Sequence, residues 1–92
     1  MAVKNRLEIW PGAIIAFYRG AAKVEEVRKA QNADKPEETA LRQCQADFFL
    51  GEWQLFKGDR AAAKDLIASA AANCPEYSGL VRPAAKKELK GL

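Results

Sequence analysis

Apolar residues recur along this chain at steps of three and four, the spacing that gathers side chains on one face of an α-helix. Residues 13–19 carry Ile14, Ile15, Phe17 and Tyr18, a short and strongly apolar helix. It opens at Trp10-Pro11-Gly12, where proline suits a first turn, and stops at Gly20. A second helix is expected over 22–31, with Val24, Val27 and Ala30 or Gln31 along one edge, followed by a loop at Asn32-Ala33-Asp34. The third is the longest, about 35–57. Asp34 and Glu37 read as its capping box, and Pro36 falls in its first turn. Its Leu41, Cys44, Phe48, Gly51 and Leu55 form one continuous stripe, which Phe49, Leu50, Trp53 and Phe56 widen almost to the full circumference. A helix apolar on most sides is sandwiched between neighbours. Gly58 can stop it and Asp59 can cap the next helix at once. That fourth helix, over 60–74, shows Ala63, Leu66, Ile67, Ala70 and Cys74 on one face, with Pro75 closing it. A last helix is expected over 82–90, with Pro83 in its first turn and Leu89 as an inward anchor. The pattern gives an all-α domain over 1–92, about five helices arranged as antiparallel hairpins.

The turn between the third and fourth helices is too short for anything except an antiparallel hairpin. Counting outward from Asp59 sets Leu55 opposite Ala63, Gly51 opposite Ile67, Phe48 opposite Ala70, and Cys44 opposite Cys74. Glycine facing a bulky isoleucine lets the two backbones approach closely. The same register brings the cysteines together at the open end of the hairpin. There they either stay free as buried small hydrophobes or, in an oxidising compartment, form a disulfide. The bridge would close a loop of about 31 residues, worth roughly 3–4 kcal/mol in the chain-entropy model.

Composition agrees with helix, since alanine is abundant and β-branched residues are few. Fifteen Lys and Arg against twelve Asp and Glu leave a net charge of +3. The excess lies at the two ends, in Lys4, Arg6, Arg82, Lys86, Lys87 and Lys90. A nucleic-acid binder concentrates its positive charge on one face and adds stacking aromatics, so these residues read as a solvated surface and nucleic acid is not the expected partner. No apolar run approaches the ~20 residues of a membrane span. The start lacks the apolar core of a secretory signal. The chain as written is therefore expected to stay where it is made, in the cytoplasm, and to be periplasmic if it is a fragment of an exported parent.

Catalytic chemistry finds little to work with. Histidine is absent, which removes the commonest general base and the Ser-His and Cys-His pairs. Two cysteines thirty residues apart make no metal site by themselves. The aliphatic hydroxyls are Thr39, Ser69 and Ser78, none in a nucleophile elbow, and no glycine-rich loop could cradle phosphate. Glu25-Glu26 and Glu37-Glu38 are neighbours that point about 100° apart on a helix, so neither pair can share a substrate atom. The expectation is no enzyme, no metal and no cofactor.

The stretch 44–77 resembles a single 34-residue tetratricopeptide (TPR) repeat. Leu50-Gly51 matches its Leu-Gly pair and Gly58 its inter-helix glycine. Ala63, Ile67 and Ala70 match its small-large-small positions, and Pro75 its closing proline. Asp47 and Gln54 depart from the pattern, which usually has an aromatic or apolar residue there. A wider resemblance covers Trp10 to Gly20 (WPGAIIAFYRG), Phe48 to Asp59 (FFLGEWQLFKGD) and Lys86 to Leu89 (KKEL). These are similar to the C-terminal part of the NlpI-like bacterial TPR lipoproteins, periplasmic scaffolds that bring cell-wall hydrolases or a protease to their sites. The lipidated cysteine and signal of those proteins have no counterpart here.

The resemblance implies a right-handed helical stack with one full repeat, a preceding helix pair over 11–32 and a capping helix over 82–90. It also implies that the first helix of the repeat lines a concave face, near Gln45, Phe48, Glu52, Leu55 and Phe56. Because the register gives Phe48 and Leu55 to the hairpin contact, the partner-binding candidates are Gln45, Glu52, Trp53 and Phe56. The expected function is a non-catalytic scaffold or adaptor that binds a peptide or protein. The alternatives are a self-associating structural domain that forms a homodimer, and a weak nucleic-acid or membrane-surface binder acting through the terminal basic residues.

Overall fold

A computed structural model describes residue 10 and residues 12–92. Pro11, Lys4 and Arg6, to which the sequence pattern gave roles, lie outside the described residues. Among the described residues five α-helices follow one another: α1 (Gly12–Tyr18), α2 (Val24–Ala30), α3 (Pro36–Lys57), α4 (Arg60–Asn73) and α5 (Val81–Lys90). A single 3-10 turn, Glu76–Ser78, joins the last two. No strand occurs among the described residues.

Helix α3 is the centre, with a core on each side. One flank packs Cys44 against Ala63, Ile67, Ala70, Ala71 and Cys74 of α4 and Ala85 of α5, with Phe48 and Leu55 at the edge. The opposite flank sets Ala46 and Leu50 against Ile14 and Phe17 of α1 and Val27 of α2, with Trp10, Trp53 and Leu66 around them. The nearly all-round apolar surface of α3 is thus used twice.

The α3–α4 hairpin turns where Gly58 takes φ 90°, a left-handed conformation that costs glycine little. The Asp59 amide reaches back to the Gln54 carbonyl at 2.9 Å, and the Asp59 carboxylate accepts from the Ala62 amide at 3.0 Å. Along the hairpin, Gly51 meets Ile67 so closely that a Cβ there would stand 2.6 Å from Ile67 Cγ1 and 3.3 Å from Leu66 Cβ. Ala63, Ile67 and Ala70 are fully buried along this seam. At its open end Cys44 and Cys74 are joined in a disulfide, with Cα atoms 4.9 Å apart.

Local starts differ from the sequence pattern in two places. The Asp34–Glu37 capping box does not form. A proline disfavours helical backbone in the residue before it, so Lys35 is extended (φ −102°, ψ 131°) and becomes the N-cap, leaving Asp34 one position too early. The loop is held instead by Thr39, whose hydroxyl accepts from the Ala33 amide at 2.9 Å and donates to the Ala33 carbonyl at 3.2 Å. Helix α2 starts at Val24 rather than 22, because Lys23 is extended (φ −95°, ψ 166°) and donates its backbone N–H to Glu26 Oε1 at 3.2 Å.

Asp47, one of the two departures from the repeat pattern, is only 4% exposed. Arg28 Nη1 on α2 lies 2.7 Å from its Oδ1, and the Ser69 hydroxyl on α4 donates to its Oδ2 at 2.9 Å. A buried carboxylate is tolerated when paired and hydrogen-bonded. This one bridges three helices.

Two measurements test this packing. Reducing the Cys44–Cys74 bridge should lower unfolding stability by about 3–4 kcal/mol, seen as a melting temperature lower by more than about 10 °C for a domain this size. Gly51→Ala should lower urea stability by up to about 2 kcal/mol, since overpacking costs about 1–3 kcal/mol and the gain in helix propensity returns roughly 1 kcal/mol of it. A higher urea midpoint, the propensity gain unopposed, would mean that the helices do not touch there.

Candidate functional site

Helices α1 and α3 lie side by side and run in the same direction. Trp10, just before α1, donates its indole N–H to Gln45 Oε1 at 2.7 Å. At the other end of α1, Tyr18 donates its hydroxyl to the Phe49 carbonyl at 2.6 Å. Phe17 and Tyr18 set their rings edge-on to Trp53, with centroids 5.1 and 5.3 Å away. Between the two helices runs an apolar groove of about 590 Å³, lined by Ile14, Ile15, Tyr18, Arg19, Gln45 and Phe49. That volume falls in the range of ordinary ligand-binding clefts.

The groove is open to solvent along Ile15, Tyr18 and Phe49, which are 49%, 41% and 37% exposed. Beyond it Phe56, 80% exposed, lies tilted over Trp53 at 6.0 Å, and Lys57 Nζ stands 4.9 Å from the Trp53 ring. Large apolar side chains left in water on one contiguous face mark an interaction surface more often than scattered single ones do.

Of the four partner-binding candidates, Gln45 lines the groove itself. Trp53 is partly buried and forms the floor beneath the aromatic cluster, while Phe56 extends that cluster into solvent. Glu52 stands apart from the lining. Its carboxyl is held above the ordinary range by burial and then by the nearby charge of Glu88 on α5. Burial and the Glu52 charge in turn keep the Tyr18 phenol above its usual range, so Tyr18 stays protonated and keeps its bond to Phe49. Phe48 and Leu55 pack toward α4 and α5, and Gly51, Ala63, Ile67 and Ala70 form the hairpin seam.

Comparison with protein-family models, curated proteins and solved structures finds no match.

The α1 wall of the groove was missed as a site by pattern reading, which took Ile14, Ile15 and Tyr18 only as parts of a short, strongly apolar helix and gave Arg19 no role. The signal was present in principle, because Ile14 and Tyr18, like Ile15 and Arg19, are four apart and share faces of one helix. Which face stays uncovered depends on where α3 docks. Among the described residues no group of three or more His, Cys, Asp or Glu side chains is placed to hold a metal ion, and no helix is long and apolar enough to cross a membrane.

Glu52 offers a check on the electrostatics of this face. Its folded pKa is raised, so between the ordinary carboxylate range and that higher value the folded state holds more protons than the unfolded one. Its contribution to stability therefore falls as pH rises through that window. Glu52→Gln removes the loss, and its melting temperature should exceed that of the parent by more at pH 7 than at pH 3. An equal difference at both pH values would contradict the assignment.

Proposed function

We propose that this chain is a non-catalytic protein–protein interaction module of the TPR type, a scaffold or adaptor that takes a peptide or protein segment in the α1–α3 groove. The supporting observation is the groove itself, an apolar cleft between two helices that run the same way. Val27 of α2 packs with α1 and α3 in one core, and Ala63, Ile67 and Ala70 of α4 pack with α3 in the other. In this reading α3 and α4 are the one full repeat, over 44–77, α1 and α2 the partial repeat before it, and α5 the cap. A lone repeat makes a poor groove, because stacked units build the continuous surface. The preceding helix pair supplies the missing wall here. The interaction reading also agrees with the chemistry of the chain, which holds no histidine and no glycine-rich phosphate loop.

Panning a phage-displayed random-peptide library on the oxidised protein tests the proposal. Recovered peptides should bind the parent protein and lose about tenfold or more in affinity, at least about 1.4 kcal/mol, on Phe49→Glu and on Ile15→Glu. Both positions are partly exposed, so each variant should keep the helical circular dichroism of the parent. Peptides that bind both folded variants as well as the parent would place recognition elsewhere.

A further inference from the structure

The polar groups along the groove are unevenly matched. Among the described residues its walls are apolar except for the Tyr18 hydroxyl, already committed to Phe49, and two donors, Gln45 and Arg19. The Trp10 indole can only donate, so the oxygen of the Gln45 amide must face it. The Nε2 hydrogens of Gln45 are left over, and no described residue accepts them. Arg19 is exposed and forms no ion pair with a described residue. Among the described residues no carboxylate lines the groove. Glu52, whose charge reaches Tyr18, sits where it also feels Glu88 on α5.

The two donors mark the two ends. Gln45 lies beside Trp10 at the start of α1, and Arg19 follows Tyr18 at its finish. From Ile14 to Arg19 the helix rises about 8 Å at 1.5 Å per residue, a length that two or three residues of extended chain cover. A neutral or basic apolar segment lying there would cover the Arg19 guanidinium without giving it an acceptor, which is unfavourable. A carboxylate would instead form charge-assisted hydrogen bonds, the stronger kind.

We infer that the groove selects a short acidic and apolar peptide segment of a partner protein. Two of its apolar side chains pack against Ile15 and Phe49, its carboxylate is held by Arg19, and a carbonyl or carboxylate oxygen accepts from Gln45 Nε2. This rests on the reading of the groove as the binding face and adds the chemistry of what it binds.

The peptides recovered by panning serve as the probes, titrated by fluorescence polarisation against the oxidised protein and its variants. They should be enriched in Asp or Glu beside two apolar residues. Arg19→Glu should weaken them about tenfold or more, Arg19→Lys should weaken them less, and added salt should weaken binding to the parent more than to Arg19→Glu. If recovered peptides are neutral or basic and insensitive to Arg19→Glu, yet still lost on Phe49→Glu, the acidic assignment fails and the interaction module stands. If no recovered peptide depends on Phe49 or Ile15, both fail. Light scattering supplies the last arm: a concentration-dependent dimer abolished by Phe49→Glu would mean that a second copy covers the groove, and would overturn the inference.

Discussion

Helices α3 and α4 can lie against each other along their length because Gly51 carries no side chain where Ile67 arrives. That contact is the constraint on which the rest of the structure depends. Ile67 is fully buried and cannot swing aside, so the space it occupies has to come from position 51. With the two backbones this close, alanines suffice to fill the seam, and Ala63 and Ala70 are fully buried on either side. The disulfide then ties the open end of the hairpin as the Gly58 turn ties the closed end. A small domain buries a limited share of its surface, and a cross-link that restricts the unfolded chain offsets part of that shortfall.

The second pair of helices is attached by different physics. α1 and α2 are only two turns each, too short to be stable by propensity alone, so they persist by docking on α3. Phe17, Val27 and Ile14 provide the apolar part of that docking. Asp47 provides the polar part, taking Arg28 from α2 and Ser69 from α4. Because both carboxylate oxygens are engaged from opposite sides, the bridge fixes how α2 sits relative to α4 more tightly than nonspecific apolar contact would. Asp47 is thus a positioning element.

The groove is a by-product of this arrangement. Docking α1 on the Ala46–Leu50 flank of α3 buries Ile14 and Phe17 but leaves Ile15, Tyr18 and Phe49 along the outer margin. Two hydrogen bonds from Trp10 and Tyr18 pin the walls in place at either end. A cleft held by side chains already fixed in the free protein loses little freedom when a ligand enters, which favours binding by preorganisation.

The helical periods, the hairpin midpoint at Asp59, the seam running through Gly51, Ile67 and Ala70, and the facing positions of the two cysteines are all properties of one or two adjacent helices. Such features are legible in the sequence, because side-chain direction on a helix repeats every 3.6 residues and a short turn permits one geometry. The chain alone left open whether the cysteines bond. It also suggested a capping box at Asp34 that the proline two residues later displaced. What only the tertiary structure decided was which face of α1 meets α3, since the angle and height of docking depend on contacts between residues about thirty-five apart, such as Trp10 with Gln45. The pairing of Asp47 with Arg28 and the lining of the groove follow from that one choice. No periodicity within a single helix encodes it.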